Sequence, residues 1–458
     1  MNLSVIICIM TTLLGPALGK VMMCYFGSWA TNRPGKGNFQ VSDIEPNLCT
    51  HYIYAFVGLT ANGDIRVLDE RNDLPTRGGK NNIGKFVALK KTKTAPKILV
   101  SMGGWNAAST NFTRVVNHAN LRTAFAKNAV AFLKKHHFDG LEMDWEYPCQ
   151  RGGVKADKKG FIALLKELKA AFVKEGLLLT AAVGATKHLA TPSYNIPELA
   201  NIVDYINVMT YDLTTASSSK VVGHHAPMVA ASYQEHNATL LQNNIEASIK
   251  FWLKSGAPAS KLVLGLPLYG RTFTLAHVTL TKPGSPSAGP GHAGRYTREA
   301  GYIGYNEFCE KQFDANWTRV WDKKQKVPYA YKGNQWIGYD NERSLAVKIH
   351  YAKKLGLAGI MFWSIETDDF RGNCGCGPYP LLKASRTALH SKKTLRGGIL
   401  YNVEEDEEDD REEDDIEEND REEDDREEDD IEEDDREEDD TEEDDTEEDD
   451  REEDVQED

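Results

Sequence analysis

The feature that most constrains the fold is the alternation of short apolar runs with longer helix-like stretches between residues 20 and 391. The runs are rich in β-branched and aromatic residues, which favour strands. Helical periodicity marks segments between them, such as Leu121–His136 and Lys158–Lys174. The predicted strands are Val21–Gly27, Thr50–Gly58, Lys97–Gly103, Phe138–Glu146, Leu178–Gly184, Asp204–Tyr211, Lys261–Tyr269 and Leu357–Ile365.

Eight strands alternating with helices over about 370 residues are typical of an α/β fold of the (β/α)8 TIM barrel type. A doubly wound open sheet is the competing architecture. That fold usually has a glycine-rich phosphate loop after its first strand, and none is present here. The alternation therefore favours the barrel.

The stretch between the seventh and eighth predicted strands is too long for a single helix. It contains Tyr296–Tyr305 and Val327–Tyr339, which are rich in Tyr, Trp and Gly. We therefore expect a small α+β insertion over residues 272–345. Insertions at this end of a barrel usually form a wall of the cleft above the strands.

The N-terminal segment and the cysteines indicate an exported protein. Residues 1–19 combine a short apolar run with small residues at the end, which is typical of a signal peptide and too short for a membrane span. Six cysteines remain after it, and an even number favours disulfides in a secreted, extracellular chain, although spacing alone leaves their pairing open. The asparagines that match the N-glycosylation pattern are Asn111, Asn237 and Asn316.

The C-terminal segment dominates the net charge of −17. Residues 403–458 contain 43 acidic residues and 5 arginines, a net charge of −38, whereas the rest of the chain carries +21. The segment repeats Glu-Glu-Asp-Asp after Arg, Ile or Thr, so it has almost nothing apolar to bury and is predicted to be disordered. It is either a solubilising spacer or, as we favour, a weak binder of Ca²⁺ or a calcium mineral. Residues 392–402 are interpreted as a basic linker.

Three carboxylates alternate with apolar residues in the fourth predicted strand. Because strand side chains alternate between faces, Glu142, Asp144 and Glu146 are expected to share one face. A core does not favour three stacked carboxylates, so the pattern indicates a site where neighbouring charges separate the pKa values of acid/base groups. A solvated strand with a polar face is the alternative. The Trp, Tyr and Pro that follow at once, and the buried runs on either side, argue against it.

The segment Phe138–Pro148 resembles the active-site strand of glycoside hydrolase family 18 chitinases, whose pattern is D-G-x-D-x-D-x-E. The resemblance covers nearly all of residues 20–390. The other matching motifs are Cys24-Tyr-Phe, Trp29, Arg33-Pro-Gly, Cys49–Phe56, Gly103-Gly-Trp105-Asn, Met209–Leu213, Gly265–Arg271, Trp336–Asp340, Met361-Phe-Trp363-Ser and Asp368-Asp-Phe370. The family has a (β/α)8 barrel with an α+β insertion before the last strand, in agreement with the pattern-based prediction.

The resemblance implies a role for each residue of the carboxylate strand. Glu146 would be the general acid that protonates the glycosidic oxygen and would later act as base toward water. The substrate's own 2-acetamido group would be the nucleophile, a substrate-assisted route. Asp144 would hold the acetamido N–H, while Tyr211 and Asp212 would stabilise the charge that develops in the transition state.

Glu142 departs from the family pattern, because the family normally has Asp at this position. Glu142 and Asp139 would tune Asp144 by like-charge coupling, but the added methylene of Glu142 must be accommodated by repacking and could weaken proton sharing. A second departure lies in Thr214–Ser219, where many family members carry a Trp on the leaving-group side. Binding on that side is therefore expected to be looser.

The resemblance also implies the residues that contact sugar. Trp363 would form the floor under the distorted sugar, and Trp29 and Trp105 would line the cleft, although core packing is the alternative role for any single tryptophan. The other implied substrate-binding residues are Gly104, Met209, Tyr269 and Arg271. The implied disulfides are Cys24–Cys49 and Cys309–Cys374, which leave Cys149 and Cys376 either paired or free.

The leading hypothesis is a secreted, endo-acting chitinase that hydrolyses β-1,4-linked N-acetylglucosamine polymers with retention. The second is a weakly active or non-catalytic chitin-binding matrix protein whose tail recruits calcium mineral, but Glu146 is intact. A metal-dependent hydrolase is disfavoured, because no histidine joins the carboxylate cluster at ligand spacing. We expect chitin as partner, no cofactor or bound metal in the barrel, no nucleic-acid or membrane partner, and a monomer.

Overall fold

The structure is a computed structural model that describes residues 19–234, 237–312, 316–391, 393–396 and 399–402. The predicted signal peptide, apart from residue 19, and the acidic segment 403–458 lie outside these residues. Among the helices of the described part, none has the length and apolar character needed to cross a membrane.

Strands and helices alternate along the described chain. The strands are β1 (Val21–Gly27), β2 (His51–Leu59), β3 (Ile65–Val67), β4 (Lys97–Gly103), β5 (Gly140–Asp144), β6 (Leu178–Gly184), β7 (Tyr205–Met209), β8 (Leu262–Pro267), β9 (Tyr269–Leu275), β10 (Ser287–Pro290), β11 (Tyr302–Gly304), β12 (Thr318–Asp322), β13 (Val327–Lys332), β14 (Gln335–Gly338), β15 (Gly359–Trp363), β16 (Lys393–Arg396) and β17 (Ile399–Asn402). The α-helices are α1 (Glu70–Asp73), α2 (Asn82–Val87), α3 (Thr110–Val116), α4 (Ala119–His136), α5 (Asp157–Val173), α6 (Lys187–Ser193), α7 (Ile196–Ile202), α8 (Ile245–Lys254), α9 (Tyr305–Gln312), α10 (Glu342–Lys354) and α11 (Pro380–His390).

Eight parallel strands close into a barrel in the order β1-β15-β8-β7-β6-β5-β4-β2, and β2 pairs back to β1. The short strand β3 is added antiparallel to β2. The predicted (β/α)8 TIM barrel is therefore confirmed. The predicted bounds of β1, β4 and β6 coincide with the observed ones, and the other barrel strands lie within or next to their predicted ranges.

The two faces of the barrel strands have different neighbours. In β1, the side chains of Met23 and Tyr25 belong to a cluster inside the barrel. Cys24 and Phe26 point the other way and join the larger core between the strands and the surrounding helices. Strands that are apolar on both faces are expected of a parallel barrel, because helices cover its outer surface.

Local sequence signals explain where some helices begin. Asn341 precedes α10, and its side-chain oxygen accepts a hydrogen bond from the Ser344 backbone N–H at 3.0 Å. The Ser344 hydroxyl in turn accepts from the Asn341 N–H at 2.9 Å. This reciprocal capping satisfies backbone donors that a helix terminus leaves unpaired.

An antiparallel sheet is inserted between β8 and β15, as predicted. Its strand order is β10-β9-β14-β13-β12, with β11 paired to β9. Helix α9 carries Cys309, which is bonded to Cys374 in the loop after β15. The second implied disulfide, Cys24–Cys49, is also present. Within residues 392–402, predicted as a linker, β16 and β17 form a separate two-stranded sheet.

Candidate active site

The carboxylate strand is β5, and its side chains alternate as predicted. Leu141 and Met143 join the core outside the barrel. Glu142 and Asp144 are also buried, with 0% and 3% of their surface exposed. Glu146 follows the end of the strand, so it stands at the carboxyl end of the barrel, where TIM-barrel active sites form.

Side chains from β6 and β7 donate hydrogen bonds to Glu142, the residue that departs from the family pattern. One of its oxygens accepts hydrogen bonds from the side chains of Asn207 on β7, at 2.5 Å, and Thr180 on β6, at 3.2 Å. Its other oxygen is buried and has no hydrogen-bond partner among the described residues. Burial raises the pKa of Glu142 to about 7, against the opposing effect of the nearby Tyr25 hydroxyl and of the hydrogen bonds from Asn207 and Thr180. The extra methylene is thus accommodated inside the barrel by polar contacts from β6, which pairs with β5, and from β7, the strand beyond it.

Asp144 is a buried carboxyl group, and Glu146 is a half-buried one whose charge affects it. Burial, followed by the charges of Glu146 and Glu142, raises the pKa of Asp144 well above its usual range. Burial also raises the pKa of Glu146 to about 7, opposed by the positive charge of Arg151. A carboxyl group that keeps its proton near neutral pH can act as a general acid.

Asp212 lies across the site in a cluster of donors. Its carboxylate accepts hydrogen bonds from the Tyr269 hydroxyl at 2.6 Å and from Arg271 Nε at 2.7 Å. His225 Nδ1 lies 3.5 Å from the same carboxylate. Partial desolvation would raise the pKa of Asp212, but the charge of Arg271, the nearby His225 and the hydrogen bonds from Arg271 hold it below its usual range. Asp212 therefore stays ionised while Glu146 holds a proton.

Aromatic side chains cover the opposite part of the barrel mouth. The Trp363 ring lies 5.6 Å from Phe56, 6.1 Å from Trp29 and 5.4 Å from Tyr25, measured between ring centroids. Trp29 is 43% exposed and Trp105 is 59% exposed, in contrast to the buried tryptophans of the core. Exposed aromatic planes beside buried carboxyls provide a surface on which sugar rings can stack.

The remaining predicted site residues lie near this group, with one exception. Tyr211 contacts Tyr269, with ring centroids 6.2 Å apart, and Met209 packs against the cluster inside the barrel. Gly104 donates its N–H to the Asp144 carbonyl oxygen at 2.8 Å. Asp139 is the exception: it precedes β5 and forms an ion pair with Lys90 at 3.0 Å. Because it stands at the amino end of the strand, it does not join Asp144.

Several residues of the site were not predicted from the sequence. Thr180 and Asn207 are polar residues within apolar strands, a signal that could have revealed them as inward-facing. Arg151 and His225 lie in loops, and nothing in their local sequence indicated their role. Cys149 and Cys376, whose pairing the sequence left open, are not bonded to each other.

Comparison with known proteins identifies the family. Residues 21–368 match the family described as Glycosyl hydrolases family 18. The chain belongs to this family. The barrel, the insertion and the carboxylate strand are therefore those of a family 18 glycoside hydrolase.

Similar family 18 proteins include enzymes and a binding protein. The chain is 40% identical over 372 residues to probable chitinase 2 of Drosophila melanogaster, which covers 79% of this chain and 74% of that protein. It resembles the Ostrinia furnacalis Group IV chitinase in complex with allosamidin, with a TM-score of 0.78 and 44% identity over 81% of this chain and 98% of that one. It also resembles human YKL-39, a pseudo-chitinase with retained chitooligosaccharide binding, with a TM-score of 0.75 and 34% identity over 81% and 100% of the two chains.

Proposed function

We propose that this family 18 protein is a secreted, endo-acting chitinase that cleaves β-1,4 bonds between N-acetylglucosamine units with retention. The observation that carries the proposal is the pair Asp144–Glu146, a buried and a half-buried carboxyl group with raised pKa values at the mouth of the barrel. One of the similar structures is that of a pseudo-chitinase, so family membership alone does not imply turnover. The presence of Glu146, with a raised pKa that lets it keep a proton, supports catalytic activity over binding alone.

In the proposed mechanism, Glu146 donates its proton to the glycosidic oxygen as the bond to the anomeric carbon breaks. The carbonyl oxygen of the substrate's 2-acetamido group attacks that carbon and forms an oxazolinium ion. A carboxyl oxygen of Asp144 accepts a hydrogen bond from the acetamido N–H, which increases the nucleophilicity of the acetamido carbonyl oxygen. Glu146, now ionised, removes a proton from the water that opens the oxazolinium ring, and the two inversions give net retention.

The surroundings of Asp212 support substrate assistance over a protein nucleophile. A nucleophilic carboxylate must have a free oxygen, but Tyr269 and Arg271 donate to both oxygens of Asp212. Asp212 and Tyr211 are therefore better suited to stabilising charge on the acetamido group. The exposed rings of Trp29 and Trp105 would bind sugars on either side of the cut, as internal cleavage of a polymer requires.

Replacing Glu146 by Gln tests the proposal directly. The amide keeps the shape but cannot donate an acidic proton, so we expect hydrolysis of a soluble chitin oligomer to fall by about 10²- to 10⁴-fold. Binding of the oligomer, measured by calorimetry, should be retained. Glu175→Gln is a matched control, because Glu175 pairs with Lys134 on the surface. Activity of Glu146→Gln equal to that of the control would contradict the mechanism.

A chitin-binding matrix protein is the second candidate function. The departure at Glu142 and the similarity to a pseudo-chitinase favour it. It predicts that the wild-type protein binds chitin oligomers without measurable hydrolysis. The assay of the unmodified protein therefore separates the two functions before any variant is made.

The segments outside the barrel support two further parts of the proposal. Residues 403–458, with 43 acidic residues, would bind Ca²⁺ or a calcium mineral weakly, since carboxylates are hard oxygen ligands. Residues 1–19 would direct export, where glycosylation of the exposed Asn237 and Asn316 is expected. Asn111 is less suited, because its side-chain nitrogen donates to the Leu59 carbonyl oxygen at 2.7 Å.

A further inference from the structure

Arg151 is a cleft residue to which neither the pattern nor the resemblance gave a role. It lies in the loop after β5, five residues beyond Glu146, and its backbone has a positive φ of 50°. Such a conformation is unfavourable for a residue with a Cβ and persists where surrounding contacts hold it. Here it turns the side chain back toward the barrel mouth.

Three contacts hold the guanidinium of Arg151 between Trp105 and Glu146. Its Nη1 donates to the Trp105 carbonyl oxygen at 2.7 Å and to the Glu146 carbonyl oxygen at 3.0 Å. Its central carbon lies 3.5 Å from the centroid of the Trp105 ring. This is a cation–π arrangement, which favours Arg over other side chains. One face of the most exposed tryptophan of the cleft is therefore covered by a cation.

The positive charge of Arg151 is not balanced by a carboxylate partner. None of the ion pairs within the described ranges includes it, whereas Asp212 is paired with Arg271. Glu146, the carboxyl group nearest in sequence to Arg151, must be protonated to act as the acid, so it does not offset this charge at that stage of the reaction. In the form of the enzyme that is ready to react, the guanidinium of Arg151 therefore presents its positive charge beside the Trp105 ring.

The position of Trp105 relates this charge to one sugar of the substrate. Trp105 follows β4 and Glu146 follows the adjacent strand β5, whereas Trp363 ends β15 on the other side of the barrel. If the reacting sugar rests on Trp363, the scissile bond lies at Glu146. We therefore place Trp105 and Arg151 against the sugar that leaves.

We propose that Arg151 is a specificity-determining residue that disfavours a deacetylated, positively charged glucosamine unit at the leaving-group position. A neutral N-acetylglucosamine unit can stack beside the guanidinium, whereas a protonated amine there meets a like charge in a partly desolvated cleft. The inference rests on the proposed chitinase activity and adds to it the choice of the leaving sugar. The reacting sugar must be acetylated in any case, since its acetamido group is the nucleophile.

Digestion of partially deacetylated chitin in mildly acidic buffer tests the inference, because free sugar amines are protonated there. Mass spectrometry of the products counts glucosamine on the leaving side of each cut. Arg151→Met keeps the apolar stem and removes the charge, and it should raise this count about fivefold. Arg151→Lys retains the charge and should keep the wild-type count. Arg114→Met is the matched control, since Arg114 is also exposed and donates to a backbone carbonyl, that of Ala61.

A salt titration of the wild-type protein tests the same charge without any substitution. Screening should raise the count of glucosamine on the leaving side as ionic strength increases. An unchanged count in both Arg151→Met and high salt would overturn the inference, and so would an equal rise in Arg151→Lys or Arg114→Met. Failure of the wild-type protein to cut fully acetylated chitin would instead contradict the proposed function.

Discussion

At the scale of single residues, the chemistry of the site depends on which of its carboxyl groups keep a proton near neutral pH and which are ionised. Glu142, Asp144 and Glu146 are close together in sequence and all have raised pKa values, mainly because they are buried. Asp212 has a lowered pKa because of Arg271. The site therefore separates carboxyl groups with raised pKa values, on β5 and just after it, from a carboxyl group with a lowered pKa after β7.

The pKa of Glu146 predicts the pH dependence of activity. Glu146 must be protonated to donate to the leaving oxygen, so activity is present below its pKa and lost as pH rises through it. Because burial places that pKa at about 7, we expect kcat/KM for a chitin oligomer to fall above about pH 7. A fall centred near 4.5, the ordinary value for Glu, would contradict the burial of this side chain.

At the scale of elements, the ends of the barrel strands place the functional side chains. The end of β4 illustrates this, because Gly103 and Gly104 both have positive φ values and lead directly into Trp105. A Cβ on Gly104 would lie 2.6 Å from the ring of Phe56. The close approach of backbone and ring at this point sets the direction in which Trp105 leaves the strand.

Replacing Gly104 by Ala is therefore expected to disturb both stability and the cleft. Gly78 is a matched control, since its φ of 75° is close to the 78° of Gly104 and no atom lies within 4 Å of its Cβ position. The control should cost about 1 kcal/mol of unfolding free energy, the penalty of a positive φ alone. Gly104→Ala should cost about 1–3 kcal/mol more, from the clash and from its ψ of 173°, which with a positive φ is a conformation almost confined to glycine. It should also weaken binding of chitin oligomers. Equal unfolding temperatures of the Gly104→Ala and Gly78→Ala variants would contradict this account.

At the scale of the whole molecule, the chain combines a basic part with a strongly acidic one. Residues 403–458 carry −38 and the remainder +21, so removing the acidic segment reverses the sign of the net charge. The residues of the candidate active site lie between Tyr25 and Trp363. Hydrolysis and calcium binding are thus expected to be separable properties of one chain.

Truncation after Asn402 tests this separation. The full chain should take up several Ca²⁺ ions with dissociation constants on the order of 10⁻³ M, in calorimetry at physiological ionic strength. The truncated chain should take up none at this affinity and should hydrolyse soluble oligomers at the wild-type rate. Equal calcium uptake by the two proteins would place the ions elsewhere than in residues 403–458.

The sequence alone predicted most of the fold and the core of the candidate site. The barrel follows from eight apolar runs, and the predicted run Lys97–Gly103 coincides with β4, because strands buried on both faces need continuous apolar side chains. The period of two correctly separated Glu142 and Asp144 from Leu141 and Met143. These features are determined locally, by the residues of one strand.

Tertiary structure decided which distant residues meet. Asp139 matches the family motif but pairs with Lys90 at the amino end of the barrel, away from Asp144. Arg151 reaches Trp105 only because of a positive φ in its loop, and Asn207 reaches Glu142 only because β7 and β5 both face the barrel interior. By itself, the sequence determined the elements and pointed to Glu146 as the proposed acid. The closed barrel decided the burial, pKa values and charge balance around that acid, because they depend on neighbours contributed by other strands and loops.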